Sequence, residues 1–198
     1  YDLNIMKAGQ TLEDIIVRAL TGIGEVIREV KPDIVLVHGD TSTTFAASLA
    51  SYYNQTKVGH VEAGLRTYDK YQPFPEEMNR RLTGAIADLH FSPTKMAKEN
   101  LLKENIDENG IFITGNTAID ALKTTIDDSY VFTVDELNKI DFKNKRVITI
   151  TAHRRENLGE PLKNICRAFR RIADDYEDVE MVYAVHKNPA VSNTVHEI

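Results

Sequence analysis

Reactive sulfur is almost missing from these 198 residues: the single cysteine, Cys166, lies among apolar residues at helical spacing. That excludes an intrachain disulfide framework and favours inert packing over nucleophilic chemistry. No run approaches the ~20 apolar residues of a membrane span. The opening YDLNIMK has neither an initiator Met nor the features of a signal peptide, so a cytosolic setting is the default expectation. Positive charge is not in excess either. With 24 basic against 30 acidic side chains, broad attraction for nucleic acid or an anionic membrane is not expected, although local arginines can still bind phosphates. Neither G-x-G-x-x-G after an apolar run nor G-x-x-x-x-G-K-[ST] occurs, so the two commonest phosphate-loop signatures are absent. Without H-E-x-x-H or a cysteine pair, no catalytic metal is expected, though His38 with Asp40, or His60 with Glu62, could serve as ligands.

What is present alternates. Short, nearly continuous apolar runs at 33–37 (DIVLV), 111–114 (IFIT), 146–150 (RVITI) and 179–185 (VEMVYAV) read as parallel strands buried on both faces, with a further strand at 57–61. Between them run helical stripes. Leu12, Ile15, Ile16, Ala19, Ile23, Val26, Ile27 and Val30 form one; Met78, Leu82, Ala85, Ile86 and Leu89 a second; Leu162, Ile165, Cys166, Phe169, Ile172 and Ala173 a third. Thr11 with Asp14, and Thr117 with Asp120, have capping-box spacing. The pattern predicts a doubly wound α/β architecture with parallel sheets. Apolar residues thin out over 127–145, which reads as a linker between an N-terminal Rossmann-like domain at 1–126 and the start of another at 146–198. Two strands and one helix make a thin second domain, and VSNTVHEI could open another helix.

Polar residues follow each apolar run: His38-Gly39-Asp40-Thr41, His60-Val61-Glu62-Ala63-Gly64, Thr114-Gly115-Asn116-Thr117, His153-Arg154-Arg155-Glu156 and His186-Lys187-Asn188. Any one of these is readily a turn and a cap. Five together mark the carboxyl edge of open α/β sheets, where ligands bind. PFPEEMNRR (73–81) adds Glu76 and Glu77 in a first helical turn, where acids suit the helix dipole, with the prolines holding the approach extended and Arg80 and Arg81 read as a solvated face.

At this point HGDTSTT (38–44), HVEAGLRT (60–67), PFPEEMNR (73–80), TGNTAIDAL (114–122) and TAHRRENLGEP (151–161) closely resemble the non-hydrolysing UDP-N-acetylglucosamine 2-epimerases of bacteria, in the family's order. The hydrolysing relatives carry different residues at HGDT and HVEAGLR. The resemblance implies two Rossmann-like domains of glycosyltransferase-B type, both incomplete in this chain. It implies reversible conversion of UDP-N-acetylglucosamine to UDP-N-acetylmannosamine for surface polysaccharides, without a cofactor, by elimination and re-addition of UDP through a glycal. By motif position Asp40, Glu62, Glu76 and His153 match catalytic residues, Arg154 and His186 match substrate contacts, and Gln10 (in MKAGQ), Arg154 and His186 match effector contacts, with UDP-N-acetylglucosamine as activator. Gly9 stands where several relatives have Arg. A homodimer is implied. The family's opening GTRPE-like loop and closing DSGGVQEEA-like segment have no counterpart here, so the resemblance is to an internal fragment. A glycosyltransferase on the same fold and a non-catalytic nucleotide-sugar-binding remnant are the alternative readings.

Overall fold

In the computed structural model, which describes residues 1–7 and 9–198 (Arg155 by its main chain only), helix α1 (Leu12–Val30) begins at the expected capping box. Thr11 accepts from the Asp14 N–H and the Asp14 carboxylate accepts from the Thr11 N–H, so two otherwise unpaired donors are satisfied reciprocally. The chain divides into two compact units, Tyr1–Ile126 and Asp127–Ile198.

The first unit is a four-stranded parallel sheet in the order β1 (Ile34–His38), β2 (Lys57–Val61), β3 (Leu89–Ser92), β4 (Ile111–Ile113). Helices α2 (Ser42–Tyr53), α3 (Glu76–Ile86), α4 (Lys95–Lys103) and α5 (Thr117–Thr125) alternate with the strands. Register lines up Val37, His60, His90 and Ile111 across the sheet, each 5% exposed or less. The opposite row is open: Leu36 is 63% and Phe112 47% exposed. Within this chain only one face of the sheet is buried, whereas the continuous apolar runs predicted burial on both. Strands that add in one direction through crossovers of one hand put every connecting helix on the same face.

Helix α2 explains why threonines and alanines follow the first apolar run. Ala46, Ala47, Ala50, Ser48 and Ser51 are all buried, and the two serine hydroxyls donate to the Thr44 and Ala47 carbonyls one turn back at 2.9 and 2.8 Å. Small side chains with internally satisfied hydroxyls let α1 and the sheet approach closely.

One strand escaped the sequence pattern. Leu89, assigned by its spacing to the second helical stripe, opens β3 instead. Helix α3 stops because Ala87 turns extended (φ −68°, ψ 141°) and Asp88 pins the chain to β2: its N–H donates to the Val58 carbonyl and its carboxylate accepts from the Val58 N–H, both at 2.8 Å. The inward residues of β3 are His90 and Ser92, so no apolar run announces it.

The second unit holds β5 (Arg146–Ile150) and β6 (Val179–Tyr183), paired in parallel, with α7 (Glu160–Asp175) as the crossover and α8 (Pro189–Glu197) beyond. Its core is Leu162, Cys166 and Val191. Cys166 is 7% exposed and burial pushes its thiol up, which fits packing rather than chemistry. Residues 127–145 count with this unit; they carry the short helix α6 (Asp135–Asn138) and a Tyr130, Phe132 and Phe142 ring cluster. Among the described residues no helix is long and apolar enough to cross a membrane.

Candidate active site

At the carboxyl end of β1 the strand gives way because Gly39 adopts φ +72°, a region L side chains rarely enter, while its N–H donates to the Val61 carbonyl at 3.0 Å. Thr41 then caps α2, accepting from the Thr44 N–H, and the Thr44 hydroxyl donates to the His38 carbonyl at 2.7 Å. Asp40 is held between these fixed points. His60, fully buried on β2, sits beneath the turn with Nε2 2.7 Å from the Gly39 carbonyl oxygen. An N–H at Nε2 donates to that oxygen.

Burial lowers the His60 imidazole from 6.5 to about 4; the Gly39 hydrogen bond opposes this, nearby His90 and Arg66 reinforce it, and Asp40 weakly resists. The folded chain therefore refuses a proton that the unfolded chain accepts. His60 contributes stability that is complete above pH 6.5 and lost as pH falls towards 4, to a limit of about 3 kcal/mol. His90 is lowered by burial as well and acts in the same sense. We expect His60→Gln to flatten the fall in unfolding free energy between pH 6.5 and 4, measured by denaturant titration; an unchanged slope would contradict the assignment.

Glu62 leaves β2 at φ +67°, uncommon for a residue with a side chain and tolerated where the surroundings fix it. Its Oε2 lies 3.3 Å from His38 Nε2, which is also 3.4 Å from the Thr117 hydroxyl at the start of α5. Three strand ends thus meet at one imidazole. Thr117 does not cap α5 as its spacing with Asp120 predicted: Asn116 does, accepting from the Ala118 N–H, because the shorter Asx turn precedes it and frees the Thr117 hydroxyl.

Two adjacent glutamates divide their roles. Glu77 is completely buried and accepts from the Thr67 and Tyr68 N–H groups at 3.1 Å each, clamping the segment that follows Glu62. Glu76 Oε2 is buried with no hydrogen-bond partner. Pro75 caps α3 at φ −91°, ψ 7°, so it turns the chain rather than extending it. Arg80 is not the solvated residue that its sequence context suggested. Its side chain is 11% exposed, with Nη2 2.6 Å from Asp40 Oδ2 and Nη1 3.4 Å from Glu77 Oε2. Asn79 Nδ2 donates to the Asp40 main-chain carbonyl at 2.9 Å. Arg81, at 42%, is the more exposed of the pair. Arg66, wholly buried, forks onto Glu104 at 2.8 Å through both Nε and Nη2, tying the segment after β2 to the end of α4.

Asp40, Glu62 and Glu76 accordingly lie on loops and a helix start that bond to one another, whereas Gln10 lies apart in local contacts, accepting from the Lys7 N–H and reaching Met6 Sδ. In the second unit, His153 follows β5 and His186 follows β6, with ring centroids 5.0 Å apart. The Asn188 N–H donates to His186 Nδ1 at 3.0 Å, so that nitrogen is an acceptor. Arg154, next to His153 in the chain, is exposed, and the Arg155 side chain lies outside the described residues.

Sequence reasoning missed His38, Glu77, Asn79 and Arg80 as supports. The one available signal was that Arg80 stands three and four residues after two glutamates, the spacing at which helical side chains meet.

Open parallel sheets that gather carboxylates and imidazoles beyond the carboxyl ends of their strands define a Rossmann-like α/β protein, here of the glycosyltransferase-B type. More narrowly, the chain belongs to the UDP-N-acetylglucosamine 2-epimerase family, whose profile matches residues 1–198. It is 59% identical over 198 residues to the UDP-N-acetylglucosamine 2-epimerase of Bacillus subtilis, covering 100% of this chain and 51% of that protein. A UDP-GlcNAc 2-epimerase structure from Neisseria meningitidis bound to UDP-GlcNAc superimposes with a TM-score of 0.91 at 46% identity, covering 100% of this chain and 54% of the other. An S. aureus protein solved with UDP gives 0.88 at 52% identity, covering 96% and 51%. The chain spans about half the length of the curated relatives it matches.

Proposed function

We propose that the protein to which this chain belongs interconverts UDP-N-acetylglucosamine and UDP-N-acetylmannosamine, with Asp40, Glu62 and Glu76 supplying the carboxylates at the sugar ring and His153, Arg154 and His186 the contacts to the UDP portion. The observation that carries this reading is local. Asp40 and Glu62 are each held from one side, by Arg80 and His38 respectively, while Glu76 keeps a buried oxygen without a partner. Carboxylates held as Asp40 and Glu62 are can take or give a proton without first reorganising, and the unpaired oxygen of Glu76 is open to a further hydrogen bond.

The chemistry follows from the substrate. The C2 hydrogen is not acidic, so its removal requires the C1–O bond to UDP to break, and positive charge then develops at the ring. Anionic side chains near that ring lower the barrier. One carboxylate takes the C2 proton as UDP departs with the bonding electrons, giving a glycal. A second acid group on the opposite face then protonates C2, and UDP adds back at C1 to give the epimer. The departing diphosphate needs donors and cations, which the imidazoles of His153 and His186 and the guanidinium of Arg154 suit. A homodimer, and activation by UDP-N-acetylglucosamine through Gln10, Arg154 and His186, belong to the same proposal.

Incubation of the full-length protein with UDP-N-acetylglucosamine, followed by chromatography, tests the reading. UDP-N-acetylmannosamine is the expected product. Free N-acetylmannosamine with UDP, or sugar transferred to an acceptor, would overturn it.

A further inference from the structure

We propose that Arg80 is a positioning residue that fixes which oxygen of Asp40 meets the sugar, a proposal that rests on the epimerase reading above. Its sequence context gave Arg80 no role beyond a solvated surface. Its geometry is different.

Two bonds from one helical turn converge on the loop after β1, and a third braces the arginine within its own helix. Asn79 Nδ2 donates to the Asp40 main-chain carbonyl at 2.9 Å, Arg80 Nη2 donates to Asp40 Oδ2 at 2.6 Å, and Arg80 Nη1 reaches back to Glu77 Oε2 at 3.4 Å. A carboxylate on a loop rotates about two side-chain bonds. With its main chain tied by Asn79 and one oxygen taken by a guanidinium that is 11% exposed, that rotation is stopped, and Oδ1 becomes the oxygen that Arg80 leaves to the substrate. Glu77 keeps the guanidinium itself in place. It is completely buried and anchored by the Thr67 and Tyr68 N–H groups, which lie on the chain that runs on from Glu62. The pair Glu77 and Arg80 therefore ties the Asp40 loop to the segment after Glu62, so that the two carboxylates keep a fixed separation.

Chemistry selects arginine for this. A planar fork engages two carboxylates in different directions at once, whereas a lysine ammonium on its flexible stem holds one of them loosely. It also explains the doubled glutamate: Glu77 neutralises the buried cation, and Glu76, one turn before Arg80 on the same helix face, is left without a partner of its own.

The test compares Arg80→Lys and Arg80→Met with the wild type in the full-length protein. Readouts are kcat, KM for UDP-N-acetylglucosamine, UDP affinity by calorimetry, and the melting temperature. A displacement of a reacting group by about 1 Å costs on the order of 10²-fold in rate. We expect kcat to fall about 100-fold in Arg80→Met and about tenfold in Arg80→Lys, with KM and UDP affinity within about threefold, and added guanidinium at millimolar concentration to restore part of the Arg80→Met rate. A kcat within about threefold of wild type in Arg80→Lys and Arg80→Met overturns the proposal. So does a parallel loss of kcat, UDP affinity and melting temperature, or loss of the fold in both variants, since either makes Arg80 merely structural. A wild type that makes no UDP-N-acetylmannosamine overturns the epimerase reading instead, and that outcome is seen before any variant is compared.

Discussion

Replacing Glu62 by Gln in the full-length protein is expected to lower turnover by about 10³-fold while leaving UDP affinity within about tenfold. The substitution keeps the size of the side chain and removes its charge and its capacity to accept a proton. In this position little else should change. Glu62 is placed by its backbone, at φ +67°, and by the turn beside it, where a Cβ on Gly39 would lie 3.6 Å from its Oε2. Its side-chain partner is His38, more than half exposed, so the contact adds little to stability. An effect on rate without an effect on UDP binding therefore isolates proton transfer or charge stabilisation at the ring. Equal losses in both would mark Glu62 as a structural residue.

A second large effect is expected at Gly64, two residues further along. Its φ of +90° is strained for any L side chain, and a Cβ there would lie 2.2 Å from the Ala97 carbonyl oxygen and 2.8 Å from the Ala97 carbonyl carbon, both main-chain atoms of α4. Helix α4 cannot yield cheaply. Leu101 is completely buried against Ala63 and Ile111, and Asn100 donates to the Gly64 carbonyl at 3.0 Å while accepting from the Tyr68 hydroxyl at 2.7 Å. Backbone strain and overpacking together set the cost of Gly64→Ala at about 3–5 kcal/mol. Gly115 is the control, with φ +82° but nothing within 4 Å of the added carbon, so Gly115→Ala should cost only about 1 kcal/mol. Urea unfolding of the two variants checks this; a loss below about 1 kcal/mol at Gly64 would contradict the close approach of the loop to α4.

The parts of this molecule that the sequence makes legible are those set by local rules. The capping box at Thr11 and Asp14, the strands at 57–61 and 146–150 and the helix over α7 follow from caps and periodicity. Strand β3 does not, because its inward positions are His90 and Ser92, buried polar residues whose place is set by neighbouring strands rather than by an apolar run. The loops carrying Asp40 and Glu62 were marked by the polar residues at the end of each apolar run. Their supports were not. Nothing in EEMNRR distinguishes the buried clamp Glu77 from Glu76, or the buried Arg80 from the exposed Arg81; the helix phase against the sheet decides both, and that phase is a tertiary property. In the same way the Thr117 hydroxyl reads as a cap until β1 brings His38 within 3.4 Å of it.

The central claim is that carboxylates after β1, after β2 and at the start of α3, the first two held by Arg80 and His38, move a proton at C2 of a nucleotide sugar. Mass spectrometry of UDP-N-acetylglucosamine recovered from the full-length protein in heavy water tests it most directly. One solvent deuterium at C2 in the recovered sugar, lost when Glu62 is replaced by Gln, is the predicted result. Epimer formed with no deuterium at C2 would contradict it.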